Sequence, residues 1–99
     1  MATINMALKE PFFEQIQRGV KTTEYREITD YWIGKLLDTD RYAEKDADTL
    51  RQKLIDGSVP VYPKGWTDIL FHCKGRTLSK KILDIKVYRG HSLFAIKLG

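Results

Sequence analysis

The chain carries few of the residues that cross-link a fold or bind metal. One cysteine, Cys73, and two histidines, His72 and His91, occur in 99 residues. A single cysteine excludes an internal disulfide, and so sparse a set of soft ligands argues against a structural zinc site or any other metal centre. A reducing cytoplasm is the expected home. No run of about 18 apolar residues is present, so neither a transmembrane span nor a membrane partner is expected. The opening Met1-Ala2-Thr3-Ile4-Asn5 has no basic stretch and no apolar one, and a secretory signal is not expected. Rossmann, P-loop and Gly-x-Ser-x-Gly patterns are missing too, and no cofactor is expected.

What is present is an ordinary globular composition: 42% hydrophobic, 11% aromatic and 30% charged. That excludes disorder and low-complexity architectures. The length suits one domain over residues 1–99, with a monomer favoured. The net charge of +4 is unevenly spread. Residues 1–26 hold four bases and three acids, residues 27–58 five bases and eight acids, and residues 64–99 eight bases and two acids. A basic C-terminal third suits a polyanion such as RNA or DNA; it equally suits strand edges guarded by lysine.

Local patterning places the elements. Ile4, Met6 and Leu8 alternate, which predicts a strand over Thr3 to Lys9. Pro11 opens a helix on which Phe12, Phe13, Ile16 and Val20 keep helical spacing, the aromatic pair being read as core, and Gly19 stops it. Lys21 to Ile28 reads as a second strand, with Thr22, Glu24 and Arg26 on one face and Thr23 and Tyr25 on the other, Tyr25 being read as core. Thr29 or Asp30 caps a helix bearing Trp32, Ile33, Leu36 and Leu37. A further helix spans about Asp46 to Asp56 and ends at Gly57. A turn-rich loop, Ser58 to Thr67, follows, with Tyr62 and Trp66 in it. Strands are expected over Asp68 to Lys74, Lys81 to Arg89 and Ser92 to Leu98, with a basic loop from Gly75 to Lys80. Leu83, Ile85 and Val87 are expected to face inward. Five strands in so short a chain favour an α+β fold, a small, partly open β-barrel flanked by two to three helices.

One octapeptide concentrates chemistry: Gly19-Val20-Lys21-Thr22-Thr23-Glu24-Tyr25-Arg26. Glu24 and Arg26, two apart on a strand, point the same way. Such a pair can neutralise itself as an ion pair that pins the corner. The same geometry can serve a ligand. Arg26 can grip a phosphate or base edge, Glu24 can accept from an exocyclic amine or act as general base, and Lys21 can bind phosphate or stabilise an oxyanion. Lys21 has the opposite strand parity to Glu24, so a corner or bulge must turn it inward.

The order helix, Gly-x-Lys-x-x-Glu-x-Arg, strand resembles the ASCH domain family, a relative of the PUA domain. Tyr31-Trp32, Asp68-Ile69-Leu70-Phe71-His72-Cys73-Lys74-Gly75, Leu83-Asp84-Ile85-Lys86-Val87 and Phe94-Ala95-Ile96-Lys97-Leu98-Gly99 fit the same pattern, so the resemblance covers nearly the whole chain except the middle helices. It implies a PUA-like fold with a cleft for RNA or a nucleotide, lined by Lys21, Glu24 and Arg26. Some members are amidohydrolases of N4-acetylcytidine and some are reported as ribonucleases. In the amidohydrolases a threonine stands where this chain has Glu24, and a later glutamate is needed where this chain offers only Asp68 and Asp84. A hydrolase here would use Glu24 as general base. Three further expectations complete the reading. Tyr62 and Trp66, with Lys64 between them, are stacking candidates. Lys74, Arg76, Lys80 and Lys81 form a candidate phosphate-contacting rim. His72, His91 and Cys73 are structural or solvated. A protein partner for the acidic middle section is the remaining alternative.

Overall fold

The computed structural model describes residues 2–99. In chain order the elements are β1 (Thr3–Ala7), α1 (Glu10–Gln17), β2 (Thr23–Glu27), α2 (Asp30–Leu36), a 3-10 turn (Thr39–Arg41), α3 (Ala47–Asp56), β3 (Asp68–Cys73), β4 (Arg76–Tyr88) and β5 (Leu93–Leu98). This is an α+β fold with one five-stranded sheet in the order β1-β3-β4-β5-β2. The sheet is mixed: β1 runs parallel to β3, and β4 antiparallel to β3. Among the described residues no helix is long and apolar enough to cross a membrane. The residues group into two units, one formed by 2–24, 65–84 and 96–99, the other by 25–64 and 85–95.

In the first unit the period-2 pattern does what it predicts. Ile4 pairs with Ile69 and Met6 with Phe71 in the parallel register, and all four are buried. Helix α1 has Pro11 in its first turn, where a missing N–H costs nothing, and it buries Phe13 and Ile16 at i, i+3 spacing. Phe12 is not core: it is 44% exposed, because only one face of an eight-residue helix can meet the sheet. Val20, 74% exposed, lies beyond the helix end.

The segment expected as a basic loop is strand. Lys74 and Gly75, with φ of 49° and 79°, make a two-residue turn from which β4 starts at once at Arg76. Two left-handed residues give the reversal whose twist matches an antiparallel hairpin. The polar residues Thr77, Ser79 and Lys81 mislead because they form the solvated face of a strand, not a loop. Leu83 is 59% exposed, against the expectation that it faces inward. The half-buried positions of β4 are Leu78, Lys80 and Ile82, then the pattern passes to buried Ile85 and half-buried Val87. The alternation slips by one residue between Ile82 and Ile85, which leaves Leu83 outside.

The second unit is organised by caps and one buried phenol. Thr29 Oγ1 accepts from the Trp32 N–H at 3.3 Å and starts α2, which buries Ile33 and Leu36. Asp46 accepts from the N–H and the hydroxyl of Thr49, both at 2.9 Å, and starts α3, which buries Leu50 and Leu54 and ends at left-handed Gly57. Tyr42, 3% exposed, donates its hydroxyl to the Pro60 carbonyl at 2.8 Å and accepts the Tyr62 N–H at 2.9 Å. One side chain thus ties down the turn-rich loop, and burial pushes its phenol above the ordinary value of 10.0.

Two outcomes follow. Phe71→Ala should cost about 3–5 kcal/mol and Thr29→Ala about 1 kcal/mol in denaturant unfolding. The Thr49 bonds hold the Asp46 carboxyl below its ordinary 3.8, and the Ser58 hydroxyl does the same for Asp56. Each folded carboxyl therefore takes up its proton at lower pH than in the unfolded chain. Their contribution is complete above pH 3.8 and is lost as pH falls through that value toward the lower folded one. The melting temperature should fall on acidification through this window, and less steeply in Asp46→Asn.

Candidate functional site

The corner between α1 and β2 is built from the helix end. Arg18 closes the last turn by donating to the Glu14 carbonyl at 2.9 Å, and Gly19, at φ 76°, turns the chain back. The amides of Val20 and Lys21 then both donate to the Gln15 carbonyl, at 2.9 and 3.1 Å. These bonds hold Lys21 before the strand begins, so the parity of β2 does not govern it. Its Nζ reaches Glu24 Oε1 at 2.7 Å. Glu24 is 3% exposed, while the Lys21 side chain keeps 20% exposure. The ammonium also lies 5.1 Å from the centre of the Phe12 ring, a cation–π distance. Phe12 therefore belongs to the corner and not to the core.

An ion pair at the corner joins Glu24 to Lys21, three residues apart. Arg26, half-buried on β2, lies with its guanidinium carbon 5.1 Å from the Trp32 ring centre, so the first turn of α2 supplies it with a flat partner. Thr22 is exposed, and its carbonyl accepts the Leu98 N–H at 2.9 Å. Tyr25 is 41% exposed, contrary to its reading as core. On this strand the inward face is the one carrying Glu24 and Arg26, with Ile28 buried beyond them.

The other candidates divide. Tyr62 is half-buried, 5.0 Å from the Tyr42 ring and with the Arg41 guanidinium carbon 3.9 Å from its own ring centre. It is an anchored loop residue whose ring already carries a cation. Lys64 donates to the Gly34 carbonyl at 2.6 Å. Trp66 is half-buried and falls in the first unit, whereas Tyr62 and Lys64 fall in the second. Lys74 donates to Glu10 at 2.9 Å, Arg76 lies 3.8 Å from the same carboxylate, and Arg76 also packs 4.7 Å from the Phe13 ring centre. The hydrogen bond and charge of Lys74 hold the Glu10 carboxyl below its ordinary 4.5. Lys80 is half-buried opposite Ile69, and Lys81 is exposed opposite Asp68. Neighbours on a strand point to opposite sides, so Lys80 and Lys81 face opposite sides of β4.

His72 lies with Nε2 2.8 Å from Asn5 Oδ1 on the polar outward side of the sheet, and Cys73 is buried. His91 is exposed and meets the Tyr88 ring edge-on. Tyr42, which the sequence reading passed over, is structural. A tyrosine four residues before a Lys-Asp cap carries no pattern that marks it as a loop staple. Comparison with family models, with curated proteins and with solved structures finds no match.

The pair at the corner generates a test. Lys21→Met removes the ammonium from a buried carboxylate and should cost about 1–3 kcal/mol in unfolding free energy. Combined with Glu24→Gln in a double-mutant cycle, the loss should be less than additive. Additivity in that cycle would show that the contact contributes nothing.

Proposed function

We propose that this chain is an ASCH-like domain that binds RNA or a nucleotide at the Gly19-x-Lys21-x-x-Glu24-x-Arg26 corner. The observation that carries the reading is the 2.7 Å Lys21–Glu24 pair, set by a helix-to-strand turn with the ammonium still partly open to solvent. An ammonium held in this way keeps N–H donors that the carboxylate does not use, and they can meet an anion without first losing conformational freedom. Arg26, two residues further on the same strand face, supplies the planar donor fork suited to a phosphate or a guanine edge. Glu24 supplies acceptor oxygens suited to an exocyclic amine. The basic excess of residues 64–99 supplies the sequence-independent attraction that a polyanion feels. The resemblance brings with it a PUA-like fold, and the single buried cysteine suits a reducing compartment.

A second reading uses the same juxtaposition. A carboxylate beside an ammonium is what a metal-independent hydrolase needs, Glu24 taking a proton from the attacking group and Lys21 steadying the oxyanion. The nucleophile would be water or a ribose hydroxyl, because Glu24 stands in the threonine position and a carboxylate does not replace a hydroxyl in acyl transfer. Binding is the primary reading, since it asks for no nucleophile.

Anisotropy of a labelled single-stranded RNA tests it. Affinity should fall as salt rises from about 50 to 200 mM. Arg26→Ala should weaken binding by about tenfold or more with an unchanged circular dichroism spectrum. Salt-insensitive affinity, or full affinity in Arg26→Ala, overturns the reading. If RNA or N4-acetylcytidine is consumed, Glu24→Gln should keep binding and stop turnover.

A further inference from the structure

We propose that the outward side of the sheet around Tyr25, Tyr88 and His91 is a base-stacking surface for single-stranded RNA. The proposal rests on the RNA reading above and names a contact surface that the corner motif does not include. Tyr25 lies at the middle of β2 and Tyr88 at the end of β4, and β5 runs between those strands. Strands two apart are separated by about 10 Å, so side chains meet over the intervening strand only if it carries something small. Their ring centres are 5.5 Å apart, at an interplanar angle of 67°. The small residue is Ala95. Phe94 and Ile96 are fully buried on the inward side, which puts Ala95 on the outward side, yet it is 4% exposed. A buried methyl on an outward face needs a roof, and Tyr25 and Tyr88 are large outward side chains on the two flanking strands. His91 continues the row, its ring centre 4.4 Å from that of Tyr88 at 85°.

These rings are not hidden. Tyr25 and Tyr88 are each 41% exposed, and His91 is exposed. Aromatic rings held by one another on a sheet present π-surface at little entropic cost, and every nucleobase has a face that can use it. The charge suits the same occupant. Residues 85–95 hold no acid; of their two cations, Arg89 packs its guanidinium against Gly57, which leaves Lys86 for this surface. Lys86 is exposed and shares the outward parity of Tyr88, which places an ammonium beside the row of rings, within reach of a backbone phosphate. Glu27, exposed and two residues after Tyr25 on the same side of β2, bounds the surface there. The chemistry of flat rings beside an ammonium favours stacked bases over an aliphatic protein surface.

Short fluorescein-labelled oligouridine and oligoadenosine, followed by anisotropy at about 50 mM salt, test the surface. Tyr88→Ala should weaken both by about tenfold, because stacking tolerates any base. Tyr88→Phe keeps the ring and should keep the affinity. Because Tyr88→Ala removes the ring that Tyr25 and His91 pack on and could loosen the fold, a second measurement uses the unmodified protein: ring protons of Tyr25, Tyr88 and His91 should move upfield as oligouridine is added. Wild-type RNA binding with unmoved ring protons, or with full affinity in Tyr25→Ala and Tyr88→Ala, overturns the stacking surface and leaves the corner reading standing. No binding of either oligonucleotide by the wild-type protein overturns both.

Discussion

A carboxylate taken out of water must be given a cation or hydrogen-bond donors, and Glu24 imposes that condition on the start of this chain. It sits at 3% exposure on the inward face of β2, among positions that β-propensity would fill with aliphatic residues. The condition is met by Lys21, which can reach it only because the chain leaves α1 through a left-handed glycine and bonds two successive amides to one carbonyl of the last helical turn. Helix end, turn and strand start are therefore one unit of structure. Phe12 completes it by placing a ring beside the ammonium, at the expense of its own burial.

Strand β2 then carries two different chemistries on five residues. Glu24 and Arg26 alternate inward and Tyr25 points outward. The inward side offers paired charge and a planar donor, the means of recognising phosphate and base edges. The outward side offers exposed rings, the means of holding a base by its face. Under the proposed RNA reading both would serve one ligand. The strand's period of two keeps them apart: adjacent residues on a strand can belong to separate surfaces with no loop between them.

Polar groups elsewhere serve to fix geometry. Lys74 and Arg76 converge on Glu10, Arg51 reaches Asp30 at 2.6 Å and also pairs with Asp48, and Lys53 bonds Glu44 at 2.9 Å. These are surface pairs, individually worth little, and they show that a count of cations overstates the charge left for a ligand. The same caution holds for Lys64, whose ammonium is engaged with a backbone carbonyl.

Much of the element order could be read without coordinates. Alternation over Ile4 and Met6, Pro11 at a helix start, Thr29 and Asp46 as caps and Gly57 as a stop are local signals, each arising from backbone hydrogen bonding within a few residues. The failures share a cause. Residues 76–80 look like a loop because a strand with one wet face and a polar composition has no strong local mark. Leu83 was expected inside because the slip between Ile82 and Ile85 depends on the strand's neighbours. Tyr25 and Phe12 were expected inside because hydrophobicity alone does not say which side of an element the core lies on. At the candidate site the motif residues were legible from their spacing, whereas the turn that brings Lys21 to Glu24 was not. Local chain chemistry determined where elements begin and end; the tertiary structure decided which faces are buried and which charges meet, because both depend on what residues distant in sequence bring alongside.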